Sequence, residues 1–254
     1  MLAQERMDRI LQIVEEQGSA LVPELVDRLE TSESTIRRDL NDMSKRGLLK
    51  KVHGGAIANS NVPFSTIHAQ QDSGIEFRKE YNIEEKKKIA EYAASLISDR
   101  DLVFLDAGSS TGYIIEYLQG SRATYVTNGI IHALTMSRMG LKVYVPSGEI
   151  KEITEAIIGE GAIESIRNFR FTLGFFGTNG VHIGHGFTTP DIREAKLKEY
   201  AMKQCENAFV LCDSTKMDQT SSVRFGDFHD AIVLTVMPIP EGYVGQENVV
   251  CIDS

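Results

Sequence analysis

The sequence predicts two folds in tandem: a winged helix-turn-helix head, then an α/β domain built on a parallel sheet. Three observations predict this. Residues 6–43 carry apolar positions at helical spacing, interrupted by turn-forming residues. Residues 48–56 then mix apolar and basic side chains and run into Gly54-Gly55. From residue 102 onward, short apolar runs alternate with helical stretches, the pattern of parallel strands covered by helices.

In the head, Arg6, Ile10 and Val14 are four apart and share one helix face. Pro23 suits the start of a second helix, where its missing N–H costs nothing, with Leu25, Val26 and Leu29 inward. Glu30-Thr31-Ser32 makes the turn. Ser32 or Ser34 can cap a third helix running to about Lys45, and Gly47 stops it. Ile36, Leu40 and Met43 form that helix's buried stripe. Ser34, Thr35, Arg37, Arg38, Asn41 and Lys45 are left outward, as a helix that reads base edges and holds phosphates requires. Lys50, Lys51 and His53 belong to a short β-wing that touches the DNA backbone or minor groove. Residues 34–53 carry a net +4 in a chain of net −9, an electrostatic footprint for phosphate. Asp39 reads as structural, pairing with a neighbouring arginine and orienting it.

A chain of 254 residues holds one small and one medium domain. The polar, turn-forming stretch from Ala58 to Thr66 marks a linker. The expected division is a head at 3–58, a linker at 59–75, a second domain at 76–237 and a C-terminal tail at 238–254. No apolar run approaches the ~20 residues of a membrane span, and no signal-peptide core opens the chain. The cysteines Cys205, Cys212 and Cys251 have no metal-type spacing. They are expected to be reduced, in a cytoplasmic protein that binds no metal.

A helix is expected from near Glu76 or Ile83 to Ile97, with Glu84-Glu85-Lys86-Lys87-Lys88 as its solvated face. Six strands follow, and five end in small polar residues: Asp106-Ala-Gly-Ser-Ser-Thr111, Asn128-Gly129, Ser147-Gly148, Gly177-Thr-Asn-Gly180 and Asp213-Ser-Thr-Lys216. Ligands of open α/β sheets sit at the carboxyl ends of strands, so one pocket could collect all five tips. The turn 106–111 leads to a helix starting near Tyr113. It offers close backbone approach, free N–H groups and hydroxyls to an anionic, hydroxylated ligand. It is neither a P-loop nor G-x-G-x-x-G, which disfavours a nucleotide. Lys216 offers a point charge. Glu194 and Lys198, four apart, read on spacing alone as a helix surface pair.

Residues 6–40, the wing 51–56 and the rest of the chain to about Val236 resemble the DeoR family of bacterial transcriptional regulators. The resemblance implies a second domain with the fold of ribose-5-phosphate isomerase, glucosamine-6-phosphate deaminase and CoA transferases, serving to sense phosphorylated sugars. The family pattern falls on Asp106, Gly108, Ser109, Ser110 and Thr111, on Thr127-Asn128, on Asn179 and Gly180, on Glu194 and Lys198, and on Asp213 and Lys216. With Gly148 at its strand tip, these are the expected effector residues. The chain departs from the pattern at Ser147, where a Gly-Gly pair is more usual, and at Met217-Asp218-Gln219. Within the family it is most similar to fructose-operon repressors, through Ser32–Leu40, Thr178–Val181 and Gly186–Asp191. The resemblance implies a repressor that binds double-stranded operator DNA as a homodimer or larger homo-oligomer. A sugar phosphate, with fructose 1-phosphate the favoured guess, would release it. It implies no cofactor, no catalytic residue and no membrane. The alternative is a sugar-phosphate isomerase or deaminase with a DNA-binding appendage, using Asp106, Glu194 and Lys216 for acid–base work.

Overall fold

The apolar stripes of the head become three helices in the computed structural model, α1 (Ala3–Gln17), α2 (Val22–Leu29) and α3 (Glu33–Lys45). The structure describes residues 3–17, 19–52, 54–58 and 82–252. His53 and the expected linker at 59–75 lie outside the described residues. The chain divides into two units, Met1–Ile67 and His68–Ser254.

Ile10, Val14, Leu25, Leu29, Ile36, Leu40 and Met43 close the head's core. Ser32, not Ser34, caps α3, its Oγ accepting from Thr35 N at 3.3 Å. At the other end Gly47 takes φ +73°, which lets Leu48 N donate to Met43 O at 3.0 Å and satisfy an otherwise orphaned carbonyl. The wing has three strands. β1 (Ser19–Leu21), β2 (Leu49–Val52) and β3 (Gly55–Ala58) pair antiparallel in the order β1-β3-β2. Strand β1 was not expected, since three residues are too few to show a period. It explains Gly55: a Cβ there would lie 2.2 Å from Ala20 O.

In the second unit, β4 (Leu102–Leu105), β5 (Thr124–Thr127), β6 (Lys142–Tyr144), β9 (Phe171–Gly177), β12 (Cys205–Leu211), β14 (Ile232–Val236) and β15 (Val249–Ile252) form one parallel sheet. Their order is β15-β14-β12-β9-β4-β5-β6. Alternation sends Val103 and Leu105 to one face, with Ile89 and Ala93 of α4 (Ile83–Ser95), Ile114 of α5 (Ser109–Ile114) and Met136 of α6 (Ile130–Arg138). Phe104 faces the other way, with α7 (Glu160–Ile166), α8 (Ile192–Lys203) and a small sheet of β10 (Gly180–His182), β11 (Gly186–Thr189) and β13 (Val223–Gly226). A hairpin, β7 (Glu149–Lys151) and β8 (Ala156–Ile158), precedes α7.

Several expectations change. Helix α4 is described from Ile83 and ends at Ser95, not Ile97. Helix α5 starts at Ser109 rather than near Tyr113, so the hydroxyl run is its first turn. The supposed tail supplies β15, which pairs in parallel with β14 and belongs to the sheet. The charge run 84–88 is not simply solvated: Lys86 is buried at 2% exposure. Cys212 is fully buried and Cys205 half-buried, and burial pushes the Cys205 thiol up to about 12.

Candidate functional site

The α3 residues expected to face DNA lie where the helical period put them. Arg37, Arg38, Asn41 and Lys45 of α3 are exposed, with Ser34, and Thr35 is half-buried against its cap. Lys50 and Lys51 of β2 are also exposed. Lys51 Nζ donates to Asn41 Oδ1 at 2.6 Å, tying the wing to the helix. Arg37 pairs with Glu33 at 2.6 Å, but both are about half exposed or more, so the pair is worth little and Arg37 can leave it for a phosphate. Asp39 is structural, as its position implied, but its partner is Arg6 of α1 at 2.5 Å, 33 residues away, not an arginine of its own helix. Arg37→Ala or Arg38→Ala is expected to weaken operator binding by ~1–3 kcal/mol, and Lys50→Ala to lower the salt slope by about one. Anisotropy titrations at several salt concentrations measure both. Unchanged affinity in folded arginine variants would sink the assignment of α3.

The second site follows from topology. The chain lays down β4, adds β5 and β6 on one side, then crosses to β9 on the other. The connections therefore diverge between β4 and β9, and a crevice opens at their carboxyl ends. Asp106, at the tip of β4, accepts from Gly177 N at the tip of β9 at 3.0 Å and from Lys198 Nζ of α8. Lys198 also donates to Gly177 O at 3.0 Å. Around this pair a pocket is lined by Asp106, Gly108, Ser109, Ser110, Asn128, Asn179, Glu194, Lys198 and Lys216 from the expected set. Glu194 and Lys198 are therefore no surface pair. Both are buried, and each is held by a different partner. Glu194 Oε1 accepts from Thr154 Oγ1 at 2.6 Å and from Lys151 Nζ at 3.2 Å. Ser110 is 2% exposed, and its hydroxyl finds no partner among the described residues.

Five expected residues stand outside the lining. Thr111 Oγ1 is consumed within the turn, accepting from Gly108 N at 2.9 Å and donating to Asp106 O at 2.6 Å. Thr127 Oγ1 accepts from Gly129 N at 3.1 Å. Gly148 follows the edge strand β6, away from the crevice, and a Cβ there would lie 2.6 Å from Ile158 O. Gly180 packs against backbone, 2.4 Å from Gln219 O to a Cβ. Asp213 is 1% exposed and acts one step back, pairing with Lys216 at 3.2 Å. Burial pushes its carboxyl up, but Lys216 and then Lys86 outweigh burial and hold it down at about 2. So the tips of β4, β5, β9 and β12 meet, and that of β6 does not.

Sequence reasoning missed Lys151, Thr154 and Thr189, which come from the hairpin and from β11, and His132. Thr154 and Thr189 line the pocket. Lys151 bridges Glu194 and Asp191 at 3.2 and 3.0 Å. Burial pushes the Asp191 carboxyl up, but Lys151 and Arg193 bring it down to about 2. His132 Nε2 lies 3.0 Å from Gly108 O, which can only accept, so that nitrogen carries the proton. No local pattern marks these residues; only the tertiary fold brings Thr154 and Thr189 into the crevice lining.

Residues 6–62 match the DeoR-like helix-turn-helix domain, and residues 81–236 match the DeoR C-terminal sensor domain. Over 236 residues the chain is 39% identical to the "Uncharacterized HTH-type transcriptional regulator FruR" of Bacillus subtilis (strain 168), covering 92% of this chain and 91% of that protein. It is 31% identical to a lactose phosphotransferase system repressor of Staphylococcus epidermidis over 229 residues, 89% of this chain and 88% of that one. Among solved structures it is similar to ribose 5-phosphate isomerase A of Methanocaldococcus jannaschii, with TM-score 0.41 and 13% identity over 54% of this chain and 55% of that one. The chain belongs to the DeoR family of helix-turn-helix transcriptional regulators.

Proposed function

We propose that this protein represses a sugar-utilisation operon and is released from operator DNA when a phosphorylated sugar enters the β4–β9 crevice. The observation that carries the effector reading is the Ser110 hydroxyl, buried and without a partner among the described residues, in a pocket that also holds Lys198, Lys216 and Glu194. An unpaired buried hydroxyl costs about 1–3 kcal/mol, which a ligand oxygen offsets. The lysines suit a phosphate, and Glu194 and Asp106 suit sugar hydroxyls. Relatives named for a FruR regulator and a lactose phosphotransferase repressor support the sugar link. Fructose 1-phosphate is the first candidate.

In this reading the head spans 3–58, a linker 59–75 and the sensor from 76 to the β15 strand. Homodimers in the cytoplasm place two α3 helices in successive major grooves. A ligand acts only through differential affinity, and a ~100-fold loss of DNA binding needs ~2.7 kcal/mol of coupling. The test is titration of fructose 1-phosphate, fructose 6-phosphate and ribose 5-phosphate into a preformed complex with a duplex that the protein selects from random sequence. Release by one sugar at sub-millimolar level is expected. No release by any of them at millimolar level would end the sensor reading.

A further inference from the structure

The charge run at the start of α4 has a use that the DNA face and the pocket leave unexplained. Asp213 faces two ways. Its Oδ2 lies 3.2 Å from Nζ of Lys216, the lysine of the pocket lining. Its Oδ1 accepts from Nδ2 of Asn82, the residue that caps α4, at 3.1 Å. Asn82 Nδ2 also reaches Thr215 Oγ1 at 3.4 Å. One turn along α4, Glu85 accepts from Ser214 N at 2.8 Å and from Ser214 Oγ at 2.9 Å. Within the turn Ser214–Lys216, Ser214 and Thr215 therefore touch the start of α4 while Lys216 lines the pocket. Asn82 sits at φ 52°, a conformation uncommon outside glycine, and its side-chain bonds hold it there. In sequence, α4 is the first described element of the sensor unit after the head.

We propose that Asp213 relays effector binding: an anion taken up by Lys216 is read by Asp213 and passed, through Asn82 and Glu85, to the start of α4. The relay rests on the effector reading above. An anion beside Lys216 competes with Asp213 for the ammonium. A carboxylate at 1% exposure cannot turn to water for a replacement, so the turn must re-pair. The turn carries Ser214 and Thr215 with it, and with them the bonds that fix the cap of α4. Lys86, also buried, contributes to holding Asp213 charged, so the helix start and the pocket share one electrostatic balance. The arrangement is a physical route of contiguous bonds, and coupling is what must be measured.

The experiment uses full-length Asn82→Gly and Glu85→Gln. Glycine accepts the left-handed backbone of residue 82 while removing both side-chain bonds. Neither residue lines the pocket or the DNA face. Binding of fructose 1-phosphate, fructose 6-phosphate and ribose 5-phosphate is measured by calorimetry. DNA affinity is measured by anisotropy on the selected duplex, with and without saturating sugar phosphate. Both variants are expected to bind DNA alone and sugar phosphate alone within about 3-fold of wild type. The factor by which the sugar phosphate weakens DNA binding is expected to fall at least ~10-fold. An unchanged factor overturns the relay. So does weaker sugar binding in step with a lower melting temperature, since that marks a scaffold. If wild type binds no sugar phosphate, the effector reading fails and takes the relay with it. If wild type is released and the variants are released equally, only the relay fails. Should either variant melt below assay temperature, Ser214→Ala removes one of the same bonds from the turn side and is read by the same factor.

Discussion

Asp39→Ala is expected to unfold the DNA-binding head at temperatures where the wild-type head is intact. Asp39 and Arg6 are 4% and 11% exposed at their side chains, and the carboxylate takes two hydrogen bonds from the guanidinium, at 2.5 and 3.3 Å. Removing the carboxylate leaves the part-buried guanidinium of Arg6 without its partner, which costs about 1–3 kcal/mol. That is a large share of the stability a small domain possesses. DNA binding falls in proportion to the unfolded fraction, without loss of any DNA contact. Asp42 on the same helix is half-buried, and Asp42→Ala is expected to stay within about 0.5 kcal/mol of wild type. Replacing both partners with apolar residues of similar size, Arg6→Met with Asp39→Leu, is expected to recover most of the loss. Denaturant melts followed by circular dichroism measure all three. An Asp39→Ala head as stable as wild type would mean that the pair is incidental.

Lys216→Ala is expected to bind sugar phosphate roughly 10- to 100-fold more weakly and so to need that much more of it for release from operator. A charge-assisted contact is worth ~1.5–3 kcal/mol, which converts to that range. A stability effect accompanies it. The Asp213 carboxyl, at about 2 in the fold, lies below the ~3.9 of an unfolded aspartate. Its ionisation therefore contributes about 2–3 kcal/mol above pH ~4, lost as pH falls through about 2. Burial opposes this and Lys216 leads the groups that overcome it. Without the ammonium the carboxyl's pKa rises, so the variant loses stability at neutral pH and converges on wild type in acid. Melting curves from pH 7 to pH 2 check the convergence, and release titrations check the midpoint. Equal release midpoints for the two proteins would place the anion away from Lys216.

The head shows how much a local signal carries. Ile10, Val14, Ile36, Leu40 and Met43 declare their faces by spacing alone, because helix geometry repeats within a window shorter than the helix. Gly47 and Pro23 mark boundaries through backbone chemistry that needs no distant partner. Asp39 shows the limit. Its charge and position on α3 indicated a structural pair, but the partner came from α1 through packing of two helices.

In the sensor, the strands were legible from apolar runs, and the pocket residues at the tips of β4, β9 and β12 from their polar ends. What those runs do not encode is their order. A strand's apolar face is satisfied beside many neighbours, and sequence neighbours need not be sheet neighbours. The order β15-β14-β12-β9-β4-β5-β6 puts Asp106 against Gly177 and leaves Gly148 at the edge, although all three looked alike as strand tips. The same order recruits the tail as β15. Lys86 and Glu85 read as a solvated run because their partners, Asp213 and Ser214, lie more than 120 residues further on. The sequence by itself determined the DNA-binding head, the parallel α/β class, the family resemblance and most of the ligand-pocket residue types, since each rests on periods and turn chemistry within a few residues. The tertiary structure alone decided which tips share a crevice, which carboxylate holds which lysine and which end of α4 meets the turn 213–216, since charge pairing acts through space and the distances are set by packing.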